Sequence, residues 1–112
     1  MRAFVGTSLG SIDAFVLDQL PIPEPGAGQI RIRVQATALG FVDGLIVQGR
    51  YQLKPTLPYI PGGEIAGVVD AIGPGAESLK QGQRVVTWQL GGGLAEYAVV
   101  NLSEVDVLQD DI

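Results

Sequence analysis

Residues 29–39, "QIRIRVQATAL", alternate strictly, with Ile30, Ile32, Val34 and Ala36 set against Arg31, Arg33, Gln35 and Thr37. A period of two sends one set to a buried face and the other to water, so this segment reads as a half-buried strand. Shorter apolar runs bounded by turn residues surround it. "MRAFVG" and "SIDAFVLDQL" read as the first two strands, and the rigid connector "PIPEPGAG" ends the second. "EIAGVVDAIG", "QRVVTWQL" and "GLAEYAVV" supply three more. The period changes once. In "GFVDGLIVQGRY" the residues Phe41, Leu45 and Gln48 fall on one helical face, and Gly49 suits a helix stop, which predicts a short helix from Phe41 to Gln48. Several short strands with one short helix indicate an all-β barrel or sandwich.

Length and composition narrow the picture. At 112 residues the chain fits a single folding unit, with no internal repeat and no sign of a second domain. Hydrophobic residues are 46%, enough for a core, while charged residues are only 17%, which excludes a disordered tail. Net charge is -5, and the seven Lys and Arg are scattered, with none after Arg84. Nucleic-acid binding needs clustered cations to displace counterions, so no nucleic-acid partner is expected. No apolar run is long enough to span a bilayer and no signal-peptide core is visible, so the expected compartment is the cytoplasm and no membrane partner is foreseen.

The chain has neither cysteine nor histidine. That excludes a disulfide, a thiolate nucleophile, a Ser-His-Asp triad and zinc sites of the Cys/His kind. The acidic group Glu104, Asp106, Asp110 and Asp111 lacks calcium-loop spacing and reads as a solvated, frayed terminus. Three glycine-rich stretches imitate a dinucleotide fingerprint, which needs G-x-G-x-x-G between a strand and a helix. "GPGAES" ends in Ser78, "GAGQIR" opens a strand, and "GGEIAG" places Glu64 at the second required glycine. All three read as turns.

The order of the motifs is itself informative. "PGAGQIRIRVQATALGFVDGLIVQGRYQLKPTLPYIPGGEIAGVVDAIGPGAESLKQGQRV" followed by "GGLAEYAVV" resembles the N-terminal catalytic domain of medium-chain dehydrogenases/reductases, nearest the zinc-free quinone oxidoreductases. The resemblance covers the chain from "RAFV" to about Leu108. It implies a mainly β, GroES-like, partly open β-barrel with one or two short helices over residues 1–112, and no Rossmann domain within them. In zinc-dependent relatives the "GGE" stretch reads G-H-E, so Gly63 stands at the ligand histidine and Gly40 at the ligand cysteine. No metal is therefore expected.

The resemblance further implies hydride transfer from NADPH to quinones or enones. In the quinone-reductase pattern N-F-x-D, the residues Phe41, Val42 and Asp43 match, and Gly40 stands where the asparagine would. Gly40, Phe41 and Val42 are the implied cofactor-binding positions, and Tyr51 and Asp43 the implied catalytic ones. The Tyr51 phenol would hydrogen-bond a carbonyl oxygen or a ribose, unless it only packs in the barrel. Glu64 is expected in a turn-forming or supporting role, and Trp88 as packing at the barrel mouth or a cleft wall. A cofactor-binding Rossmann domain, in cis or in trans, is the expected partner, and the chain alone is expected to be inactive. Apolar surface left uncovered without that domain would favour homo-oligomers. The alternative is a non-enzymatic module that kept the barrel for assembly or ligand binding.

Overall fold

The computed structural model describes residues 1–109. Strands β1 (Arg2–Gly6) and β2 (Phe15–Gln19) form an antiparallel hairpin. Strands β3 (Gln29–Ala38), β4 (Glu64–Ile72), β5 (Arg84–Trp88), β6 (Tyr97–Asn101) and β7 (Val105–Val107) form an antiparallel sheet in the order β6-β3-β4-β5-β7. Single bridges, Ala3 to Ala95 and Gly6 to Tyr59, tie the hairpin to the rest. Neither sheet closes on itself. The result is the mainly β, GroES-like, partly open barrel that the pattern and the resemblance implied.

The alternation in β3 holds for its first half. Ile30 and Ile32 are fully buried and form the centre of a core with Ile65, Val69, Val85, Ala98 and Val100. A register shift between Val34 and Ala36 then reverses the parity. Ala36, expected inside, is exposed, and Thr37 turns inward, its hydroxyl donating to the Gly93 carbonyl at 2.6 Å. A bulge inserts one residue on one strand only, so every later side chain changes face.

Helix α1 (Phe41–Val47) stops where Gly49 predicts. Gly49 has φ +71°, its N–H donates to the Ile46 carbonyl, and the Arg50 N–H donates to the Leu45 carbonyl. This pair of bonds satisfies carbonyls the helix leaves open, and the positive φ suits glycine. The buried face differs from the expected one. Ile46 and Val47 are buried, Val42 packs beside them, and Phe41 is 82% exposed. In a helix of two turns, periodicity allows either stripe. The neighbours decide, and here Phe15 and Tyr59 lie against Ile46 and Val47.

Two other expectations change. The second strand is shorter than "SIDAFVLDQL", because Ile12–Ala14 form a 3-10 turn whose preceding Ser11 hydroxyl accepts from the Asp13 N–H. The stretch around Glu104 and Asp106 is not a frayed end. Val105–Val107 pair with β5, and the Glu104 carbonyl accepts from the Thr87 hydroxyl at 2.6 Å. Asp110 and Asp111 lie outside the described residues.

Candidate active-site cleft

A cleft of about 190 Å3 opens between the N-terminal turn of α1 and the start of β4, lined by Gly40, Phe41, Val42, Asp43, Ile46, Glu64, Trp88, Gln89 and Leu90. It brings together four of the five catalytic and cofactor-binding positions that the resemblance implied. Tyr51 is not in its lining. Tyr51 packs, half-buried, against the cluster of Phe15, Ile46, Val47 and Tyr59, in a segment where the Lys54 ammonium donates to the Gly49 and Tyr51 carbonyls.

Asp43 organises the cleft. One carboxylate oxygen accepts from the Gly40 N–H at 2.6 Å and the other from the Gly63 N–H at 3.1 Å. The first bond caps the helix, and a carboxylate suits the positive end of the helix dipole. The second fastens α1 to the segment entering β4. Gly40 and Gly63, the two glycines that the resemblance sets at ligand positions, are thus held through their backbone by one carboxylate.

The two glycines differ in the room around them. Gly40 is extended (φ -120°, ψ -179°), and a Cβ there would meet nothing nearer than the Asp43 oxygen at 3.8 Å. A Cβ at Gly63 would drive into the Gln89 carbonyl oxygen and stand 3.3 Å from the Trp88 indole nitrogen. The Gln89 N–H donates to the Gly63 carbonyl at 2.9 Å, which fixes this approach. Among the described residues, no group of three or more His, Cys, Asp or Glu could hold a metal ion.

Tyr59 was not singled out from the sequence. It is buried, and its hydroxyl donates to the Leu90 carbonyl at 2.5 Å, bracing one wall of the cleft. Burial, with the Asp43 charge second, pushes its phenol up to about 12. Its only sequence signal was an aromatic residue in "LPYIPGG". Glu64 is the first residue of β4 rather than part of a turn, and it faces the cleft. Trp88 is not packed inside the barrel. It is 51% exposed and forms a wall.

A partly open antiparallel barrel with a helix-capped cleft at its mouth defines the class. The family model of the alcohol dehydrogenase GroES-like domain matches residues 26–109, and the chain belongs to that family, within the medium-chain dehydrogenases/reductases. Human quinone oxidoreductase is 42% identical over 101 residues, covering 88% of this chain and 31% of that protein. The crystal structure of human synaptic vesicle membrane protein VAT-1 homolog-like protein superposes with a TM-score of 0.91 at 32% identity, covering all of this chain and 36% of that one. The quinone oxidoreductase of Thermus thermophilus, described alone and in complex with NADPH, gives 0.81 at 33% identity, covering all of this chain and 34% of that one. The chain therefore spans about a third of the length of these relatives. Among the described residues, no helix is long and apolar enough to cross a membrane.

Proposed function

We propose that the chain is the substrate-side domain of a zinc-independent, NADPH-dependent quinone or enone oxidoreductase, inactive until a nicotinamide-binding domain joins it. The observation that carries this reading is the double use of Asp43. Its carboxylate takes the N–H groups of Gly40 and Gly63, where a zinc-binding relative presents ligand side chains. The cleft this creates is small, with apolar walls of Phe41, Val42, Ile46, Leu90 and Trp88 and the carboxylates of Asp43 and Glu64 in its lining.

The residues present suit one end of a nicotinamide cofactor. The open space above Gly40 and the exposed Phe41 ring fit a flat uncharged ring. The other end is not accommodated. Among the described residues α1 is the only α-helix, and the Asp43 carboxylate already occupies its N-terminus, where a pyrophosphate would otherwise bind. A second domain would have to hold the phosphates. Bound there, the cofactor would supply hydride, and the chain's own part would be orientation and exclusion of water. Gly40, Phe41 and Val42 would form the wall against the ring. Asp43 would position that wall, and Tyr51, which lies outside the cleft lining, would meet the ribose or a part of the acceptor that extends beyond the cleft.

The absence of a side chain at Gly40, where the quinone-reductase pattern has asparagine, favours a second reading. In it the barrel is a non-enzymatic module for assembly or ligand binding. In either case the exposed Leu39, Phe41 and Trp88 near the cleft mouth favour association.

The test is complementation. Quinone reduction by the chain alone should match buffer. Joining it to the Rossmann domain of a related reductase should raise the rate; Tyr51→Phe should then lower it if the phenol orients the acceptor or ribose, and leave it unchanged if Tyr51 only packs. Micromolar NADPH binding to the chain alone would overturn the claim that a second domain is required. No activity in any joined form, with Gly40→Asn also silent, would favour the non-enzymatic module.

A further inference from the structure

Trp88 and Glu64 are direct partners across β4 and β5, so their side chains leave the sheet on the same face, a few ångströms apart. Both line two cavities. One is the cleft beside α1, and the other is a groove of about 710 Å3 over the sheet, which also includes Ala36, Ala38, Val86, Glu104 and Asp106. The pair is therefore the ridge between cleft and groove. The indole lies over Gly63, in the space a side chain at that position would enter. Val42, Leu90 and the exposed Phe41 ring line the same cleft.

Charge around this slot has one sign. Asp43 and Glu64 line the cleft, Glu104 and Asp106 continue the groove, and among the described residues neither lining includes a Lys or Arg. The Asp43 oxygens are already bonded to backbone N–H groups. Among the described residues no hydrogen bond or ion pair holds the Glu64 carboxylate, so its charge faces whatever enters.

We infer that Trp88 and Glu64 set the acceptor specificity: Trp88 is the stacking wall for a single flat ring system, and Glu64 favours uncharged or cationic acceptors over those with an acidic substituent. This rests on the proposed reductase reading for the word acceptor, and on geometry alone for the ring. The volume supports one ring system, since a cavity of about 150 Å3 holds benzene, so in the reductase reading the acceptor fills the slot and the nicotinamide would lie outside it, on the exposed face of Phe41. An aromatic face stacks on a flat ligand with a gain beyond the area covered. A carboxylate a few ångströms from a bound anion, screened as in water, lowers affinity about fivefold.

The chain provides its own reporter. Trp88 is the single tryptophan, and there is no cysteine for a quinone to alkylate. Titrating the 112-residue chain with 1,4-naphthoquinone should quench Trp88 fluorescence saturably. 1,4-Naphthoquinone-2-sulfonate should need about fivefold more for half effect at low salt, a gap that shrinks at about 0.5 M salt. Glu64→Gln should narrow the gap between the two quinones, leaving the smaller part set by Asp43, Glu104 and Asp106. By ligand-observed NMR, Trp88→Leu should lose binding and Trp88→Phe retain it, with circular dichroism confirming that both variants fold.

Quenching that stays linear with concentration, equal affinity for the two quinones, or unchanged binding by folded Trp88→Leu would overturn the inference. The redox reading fails separately. Saturable, charge-selective binding with no turnover in any joined form would keep the ring site and remove the reductase. Turnover in a joined form whose KM for the neutral quinone ignores Trp88→Leu would keep the reductase and remove the specificity role.

Discussion

The barrel has two hydrophobic centres of different character. The sheet core, around Ile30, Ile32, Ile65, Val69, Val85 and Val100, is aliphatic and fully enclosed. The second, around Phe15, Ile46, Val47 and Tyr59, is partly aromatic, contains a phenol, and borders the cleft through Ile46 and Leu90. Phe15 meets Tyr59 edge to face at 6.4 Å and Phe4 at 5.8 Å. The first centre holds the sheet together. The second gives up enclosure so that a helix N-terminus, Gly40 and a tryptophan can surround an opening. Stability and site are thus separated in space while sharing β4, whose Ile65 is in the first centre and whose Glu64 faces the cleft.

The same truncation in each centre measures that difference most directly. Ile32→Ala should destabilise by about 4 kcal/mol, since the void it leaves is closed on all sides. Ile46→Ala should cost nearer to about 2 kcal/mol, because the vacated space joins the existing cleft and its surroundings relax more easily. Chemical denaturation of both variants would decide it, and equal losses would erase the distinction.

Next in size is the contrast between the two glycines. Gly63→Ala places a Cβ against the Gln89 carbonyl and should cost about 2 kcal/mol, as overpacking does. Gly40→Asn, at an extended N-cap with free space, should change stability by only a few tenths of a kcal/mol. Melting temperatures would show whether glycine at 63, unlike glycine at 40, is required by backbone packing.

Asp43→Ala comes third. It removes a helix cap and leaves the Gly40 and Gly63 N–H groups without their acceptor, at a cost of about 1.5 kcal/mol. Faster hydrogen exchange at those two amides, with the sheet core unchanged, would confine the damage to the cleft side.

Tyr59→Phe is the mildest, at about 1 kcal/mol for the bond to the Leu90 carbonyl. It should also change the response to alkali. The folded phenol titrates near 12, above its ordinary value of 10, so its contribution is complete below pH 10 and is lost as pH rises from 10 to about 12. The wild type should weaken across that window more steeply than Tyr59→Phe. Identical alkaline profiles would show that the burial of this phenol has no bearing on stability.

What the sequence determined by itself lies where one local rule acts without competition. The period-two run at Ile30 and Ile32 meets such a condition, because a strand with one buried face must alternate. So does Gly49, because only a positive φ lets the chain leave a helix by that route. The motif order from Pro25 to Val100 was enough to place the chain in its family and to name Gly40, Phe41, Val42 and Asp43, which the fold does gather at one cleft. Tertiary structure decided the rest. The bulge before Ala36 depends on how β4 pairs with β3, and no pattern within β3 encodes its partner. The buried stripe of α1 depends on where Phe15 and Tyr59 arrive from, one well before the helix and the other well after it. The short strand Val105–Val107 owes its order to pairing with β5 and to Val105 packing on the sheet core, since its own acidic and polar neighbours read as solvent-exposed terminus. Trp88 as a wall, Glu64 as its charged neighbour and Tyr59 as a brace follow from the meeting of β4, β5 and the segment before them. Those contacts are long-range, fixed by packing and hydrogen bonding across the sheet, and a linear sequence carries them only once its strands have found their register.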